Sequence, residues 1–79
     1  MRNLNEIAWD IKRTWGPKVN YAAAPYLDAM LSLEKITDNY GVDNARSVVL
    51  YFLSNASTFR GQKAKELKAE LKKILKKGN

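Results

Sequence analysis

The sequence predicts an all-α fold: a compact, four-helix bundle-like single domain over residues 1–79, with a basic C-terminal helix. Apolar residues recur at helical spacing in four segments, and the run at 45–53 is apolar enough to lie at the centre of a core. This run is rich in β-branched and aromatic residues, which favour a strand. The sequence offers no second strand-like segment to satisfy its backbone N–H and C=O groups, so a helix is the better prediction.

The first predicted helix covers residues 4–15. Asn3 and Glu6 have the spacing of a capping box, in which side chains bind the free N–H groups at the start of a helix. Gly16 and Pro17 follow and end the helix. Its core face consists of Leu4, Ile7, Ala8, Ile11 and Trp15.

The second predicted helix covers residues 25–39. Pro25 belongs in its first turn, where a missing N–H costs little. Gly41 lies just beyond its last turn, where a residue with positive φ is common. Its core side consists of Tyr26, Leu27, Met30, Leu31, Leu33 and Ile36.

The third predicted helix covers residues 44–56, with Asp43 as its N-cap. Apolar residues cover nearly its whole circumference, which is typical of a buried helix, so we expect it to form the centre of the bundle. Ser54 and Asn55 compete for backbone hydrogen bonds and weaken its end. The fourth predicted helix covers residues 62–76.

The net charge of +6 is concentrated in the last quarter of the chain. Residues 1–59 contain six basic and six acidic side chains, whereas residues 60–79 contain eight basic and two acidic ones. On the predicted fourth helix, four lysines form one stripe beside the apolar arc, and no acid falls among them. Arg60 precedes the stripe. Its members are Lys65, Lys68, Lys72 and Lys76.

A stripe of this kind can follow a phosphate backbone, and each phosphate that it neutralises adds a salt-dependent contribution to binding. The stripe contains no arginine, asparagine or glutamine at positions that read bases, so the binding would be weakly sequence-specific. We therefore predict a nucleic-acid site formed by Arg60 and the four lysines. The alternative is that the stripe is a solvent-exposed face that keeps a small protein soluble.

Trp9 lies off the apolar face of the first helix, near Arg2 and Arg13. A tryptophan flanked by arginines has the composition of a protein-interaction hot spot, and its ring can also stack on a base. Alternatively, the first helix packs against two neighbours and buries Trp9, which the high average burial of tryptophan favours. Arg2, Trp9 and Arg13 form a second candidate site, for a protein partner.

The residue types exclude most catalytic and metal chemistry. The chain contains no cysteine and no histidine, so the usual zinc sites and Ser–His–Asp triads are absent. The segment 38–43 resembles a calcium loop, but Tyr40 and Val42 occupy positions where oxygen ligands would alternate. The sequence contains no Gly-rich phosphate loop. We predict a protein that is not an enzyme and has no metal or cofactor.

Cysteine content and hydropathy also bear on location and assembly. The lack of cysteine suits a reducing compartment. No stretch is long enough to span a bilayer, and the first residues lack an apolar signal core. We expect a cytoplasmic protein without membrane contact. A homodimer that uses a leftover apolar face is left open.

Two stretches, 19–30 (VNYAAAPYLDAM) and 45–61 (ARSVVLYFLSNASTFRG), together with the lysine-rich end, resemble short proteins encoded in phages, prophages and integrative elements. The resemblance assigns no functional residue. It implies a small mobile-element protein that binds nucleic acid or host machinery in a bacterial host cell. The leading prediction is nucleic-acid binding through the lysine stripe. The alternative is a protein-binding inhibitor of a host defence nuclease, of the anti-restriction or anti-CRISPR type, that uses the surface around Trp9.

Overall fold

The computed structural model describes residues 2–41 and 43–77, and it confirms the predicted all-α single domain. Two strands of two residues each add a minimal antiparallel pair, with Asn39 opposite Asn44 and Tyr40 opposite Asp43. In chain order, the elements are α1 (Leu4–Trp15), a 3-10 turn (Gly16–Lys18), α2 (Ala24–Met30), β1 (Asn39–Tyr40), β2 (Asp43–Asn44), α3 (Ala45–Ser54) and α4 (Gln62–Lys77).

The helices enclose a single core. α1 packs against both α2 and α4, α2 packs against α3, and a smaller contact between α3 and α4 closes the ring. In the described part of the chain, every side chain classed as buried is apolar. The largest fully buried side chains are Phe52, Leu4, Ile7, Ile11, Leu27, Met30, Leu33, Leu67, Leu71 and Val49.

α1 has the predicted bounds and the predicted core face. Glu6 supplies its half of the capping box, because the backbone N–H of Asn3 donates to Glu6 Oε1 at 2.9 Å. The helix ends at Gly16, whose φ of 63° is in the left-handed region that glycine adopts without strain.

α2 is much shorter than predicted, and the predicted range 25–39 is wrong. Helix ends at Met30, and the chain continues in turns to Asp38. The Asp38 carboxylate accepts the backbone N–H groups of Glu34 and Lys35, at 3.0 Å each, which a longer helix would use internally. These two donors hold the pKa of Asp38 below its ordinary value. The predicted core residues Leu33 and Ile36 are buried nonetheless.

α3 begins one residue after its predicted start and ends two residues before its predicted end. Its N-cap is Asn44, not Asp43, since Asn44 Oδ1 accepts the backbone N–H of Ser47 at 2.8 Å. At the other end, the Asn55 side chain donates from Nδ2 to the carbonyl oxygen of Tyr51 at 2.8 Å. Such a bond is expected of a residue that competes for backbone hydrogen bonds.

The prediction that α3 is buried nearly all round is wrong. Val49 and Phe52 are fully buried, but Leu50 and Tyr51 are 48% and 53% exposed. α3 therefore covers one side of the bundle and presents an apolar strip to solvent. α4 extends one residue beyond the prediction, to Lys77. None of the helices in the described ranges is long and apolar enough to cross a membrane.

An aromatic cluster joins three parts of the fold. Trp15, the last residue of α1, stacks on Phe59 with a centroid distance of 4.7 Å and an interplanar angle of 22°. Its ring also meets Phe52 of α3 edge-on, with the centroids 6.2 Å apart. Both arrangements are favoured by the quadrupoles of aromatic rings. The cluster thereby fixes the link that leads from α3 to α4 against the end of α1.

We expect Trp15→Ala to lower the free energy of unfolding by about 3–5 kcal/mol, because it removes a buried ring and leaves a cavity beside Phe52 and Phe59. Trp9→Ala is the matched control on the same helix, and we expect it to cost less than about 1 kcal/mol because Trp9 is half exposed. Urea denaturation followed by circular dichroism measures both. Equal losses for the two variants would contradict the assigned role of Trp15.

Candidate nucleic-acid interface

The four lysines predicted to bind nucleic acid lie along one side of α4, beside its buried arc. Burial of that arc fixes the rotation of α4 about its axis, so the lysines follow the edge of the core. Three of the four side chains are exposed, and Lys68 is half-buried. The lysine stripe is formed by Lys65, Lys68, Lys72 and Lys76.

A groove of about 400 Å³ lies along the lysine stripe. Phe59 lines it from the core, with only 3% of its surface exposed. The groove brings Arg60 together with three of the four lysines, while Lys76 lies one helical turn beyond Lys72. Its lining consists of Phe59, Arg60, Gly61, Lys65, Lys68, Ala69 and Lys72.

A second groove, of about 410 Å³, shares Phe59 and Arg60 with the first. It adds Lys18, which ends the 3-10 turn, and the hydroxyl side chains of Thr14 and Thr58. Lys18 lies in the charge-balanced part of the chain, far from Arg60 in sequence, so no pattern in the sequence pointed to it. The basic surface is formed by Lys18, Arg60 and the lysine stripe.

The positive charges of the basic surface lack nearby acids. Among the described residues, none of its six members forms an ion pair within 4 Å. Burial lowers the pKa of Lys68, and the positive charges of Lys72 and Arg60 lower it further. The Lys68 ammonium lies over the Phe59 ring, 5.7 Å from its centroid. The protonated form of Lys68 is thus held in a place where an anion would stabilise it.

Arg60 lies where the two grooves meet, and a hydrogen bond joins its side chain to the backbone of the link before α4. Its Nε donates to Ser57 O at 3.3 Å, and the terminal nitrogens of the guanidinium keep donors for another partner. The first turn of α4 follows directly and contains no acidic residue. The partial positive charge at the start of a helix therefore adds to the charge of Arg60 there.

The two acids of α4 are engaged elsewhere. Arg2 binds Glu70 with two nitrogens, Nε to Oε1 at 3.0 Å and Nη2 to Oε2 at 2.6 Å. Such a bidentate pair fixes the segment before α1 on α4. Glu66 accepts from Gln62 Nε2 at 3.1 Å. Neither carboxylate lines the two grooves of the basic surface.

The second candidate site differs from its prediction. Trp9 is 48% exposed, so the interpretation that it is buried between two neighbouring helices is wrong. Arg2 and Arg13 both bind Asp10, which lowers the pKa of that carboxyl. Hydrogen bonds with Glu70, and then with Asp10, raise the pKa of Arg2. The cation beside the Trp9 ring is Lys12, whose Nζ lies 5.7 Å from the ring centroid. Both arginines thus already have an acidic partner within the chain.

The exposed strip of α3 is the leftover apolar face that a homodimer would use. Tyr51 lies beside Tyr26 of α2, with ring centroids 5.5 Å apart, and Leu50 is next to it. Nothing in the fold shows what covers this strip, so dimerisation stays a prediction that sedimentation would test.

A third cavity, of about 240 Å³, lies where the segment before α1 meets α4 and the turn after α2. Leu4, Ile36 and Ile74 give it apolar walls, and Arg2 and Glu34 lie at its lining. Within residues 2–41 and 43–77, no group of three or more acidic side chains could hold a metal ion. This cavity therefore combines apolar walls with a few polar side chains, among them Arg2, Glu34 and Lys35.

Comparison with known proteins gives no family assignment. No protein-family model, curated protein or solved structure matches the chain. The resemblance to proteins of phages and integrative elements accordingly stays a prediction. The charge and geometry of the described residues therefore carry the functional argument.

Proposed function

We propose that this protein is a non-enzymatic binding protein that contacts the phosphate backbone of nucleic acid through the basic surface. One observation carries the proposal: five basic side chains from the 3-10 turn, the link before α4 and α4 itself line two adjoining grooves, with Lys76 one helical turn beyond, and none of the six forms an ion pair within 4 Å in the described chain. Elsewhere, Arg2, Lys12 and Arg13 each bind a carboxylate. Lys35, Arg46, Lys63 and Lys73 form no ion pair among the described residues either, but they line neither groove, so it is the clustering of charge that distinguishes the basic surface.

The electrostatics of Lys68 supports an anionic partner. In the free protein, its protonated form is disfavoured by burial and by two neighbouring cations. A phosphate beside it supplies the missing negative charge and favours protonation. Each phosphate that the surface neutralises also releases condensed counterions from the nucleic acid, so the affinity falls as salt rises.

The proposal includes weak sequence specificity. Lysine ammonium groups bind phosphate as point charges, whereas base recognition relies on arginine, asparagine or glutamine in bidentate geometry. Arg60 is the one arginine among the six members of the basic surface. The resemblance to mobile-element proteins supports the same role, that of a small protein acting in the cytoplasm of a bacterial host.

We expect Lys68→Glu combined with Lys72→Glu to weaken nucleic-acid binding roughly tenfold or more, because two phosphate contacts are lost and two repulsions are added. Mobility shift across 50 to 200 mM salt measures the effect. For the unaltered protein, we expect affinity to fall about threefold per neutralised phosphate over that range.

The matched control is Arg46→Glu combined with Lys63→Glu, which changes the net charge equally on exposed side chains that line neither groove. We expect it to retain most of the affinity. Absence of binding at 50 mM salt, or equal losses for the two double variants, would overturn the proposal.

We expect Lys68→Met to separate binding from stability. Removing a charge that burial disfavours should leave the unfolding midpoint unchanged or raise it, while methionine keeps contact with Phe59. The same variant should make the slope of log affinity against log salt less steep by about 0.9. A lower unfolding midpoint with an unchanged slope would show that Lys68 acts only through packing.

A second candidate function is favoured by the exposure of Trp9. A half-exposed tryptophan is a frequent anchor of protein interfaces, which fits an inhibitor that binds a host defence nuclease. The arginines beside it fit less well, since Arg2 and Arg13 would have to leave Asp10 to reach a partner.

This alternative predicts that the tagged full-length protein captures a nuclease or restriction subunit from nuclease-treated host lysate, and that Trp9→Ala abolishes the capture. Tyr21→Ala is the control, because it removes an exposed aromatic ring from another part of the surface. Capture that is unchanged in Trp9→Ala would exclude the Trp9 surface as the contact.

A further inference from the structure

We propose that the basic surface binds the backbone of a double helix rather than a single strand. This inference rests on the proposed function and specifies its substrate class. Proteins that hold single strands combine a basic groove with exposed aromatic rings, on which successive bases stack. The two grooves of the basic surface lack such a platform in the part of the chain that the structure describes.

The aromatic rings that line the two grooves are already engaged. Trp15 is only 7% exposed, and its ring stacks on Phe59 and meets Phe52. The Phe59 ring has Trp15 against it and the Lys68 ammonium above it. A base could stack on either ring only after the core cluster opened. The floor of the groove along the lysine stripe is largely apolar, with the charges of Arg60 and three lysines around it, and only the second groove adds hydroxyl groups, from Thr14 and Thr58. Charges of this kind suit phosphates better than bases.

The lysine stripe also follows a straight and anchored helix. From Lys65 to Lys76, α4 rises about 16 Å, and its buried arc fixes the helix against the core. Over that length a duplex presents roughly ten phosphates on its two strands. A duplex is stiff on this scale and holds its phosphates in place, whereas a flexible single strand must be ordered to match the same row of charges.

Tyr21 offers a direct check on this inference. It is 91% exposed and lies three residues after Lys18, but it lines neither groove. If bases stack on the protein, Tyr21 is the candidate ring, because it is the most exposed aromatic side chain among those described and is close to Lys18 in sequence. If a duplex backbone is bound, the ring makes no essential contact.

The test compares a duplex DNA, a duplex RNA and the component single strands of one sequence, by fluorescence anisotropy at 100 mM salt. We expect either duplex to bind the full-length protein at least tenfold more tightly than the single strands. Tyr21→Ala should change duplex affinity less than twofold, and the paired reversal Lys68→Glu with Lys72→Glu should abolish the preference.

The outcomes separate this inference from the function on which it rests. Single strands that bind as tightly as the duplexes, and lose affinity in Tyr21→Ala, would overturn the duplex inference but support nucleic-acid binding. Failure of the duplexes and the single strands alike to bind, also when the salt is lowered to 50 mM, would overturn both. Duplex binding that is insensitive to the paired lysine reversal would also overturn both, since the contact would lie elsewhere.

Discussion

The stacking of Trp15 on Phe59 is the interaction on which the rest of the structure depends. It occurs where α1 ends, and it fixes the polar link that leads into α4. Polar residues dominate that link, so little else in its sequence would set the direction of the following helix. With Phe59 in place, the start of α4 and Arg60 are brought beside the end of α1. The packing of Phe59 in the core therefore also sets where Arg60 and the start of α4 lie on the surface.

The charges of the protein are divided between two sides by the same packing. On one side, Arg2 joins Asp10 of α1 to Glu70 of α4, so opposite charges cancel locally. On the other side, the members of the basic surface form no ion pair among the described residues, and burial, followed by the charges of Lys72 and Arg60, lowers the pKa of Lys68. The net charge of +6 describes the whole chain. Where ion pairs form, and where basic side chains cluster without them, depends on which helices are neighbours.

Features with a local periodic signal were predictable from the sequence, and features created by tertiary contacts were not. The bounds of α1 and the lysine stripe depend on spacing within one helix, so they were predictable. The early end of α2 depends on Asp38, whose carboxylate binds backbone N–H groups in a turn that has no periodic pattern. The exposure of Trp9 and the position of Lys18 depend on how the helices pack, which one helical face does not reveal.

The double role of Phe59 limits how this protein can change. One face of the fold uses the ring to close its interior, and the outer grooves use the same ring as their base. A substitution of Phe59 would change the stability of the fold and the shape of both grooves at the same time. By contrast, Lys65, Lys72 and Lys76 are exposed on a helix that its buried arc already anchors, so a substitution there changes charge with little effect on folding. The shape of the basic surface is therefore tied to the core through Phe59, whereas its charge depends on exposed side chains that folding constrains less.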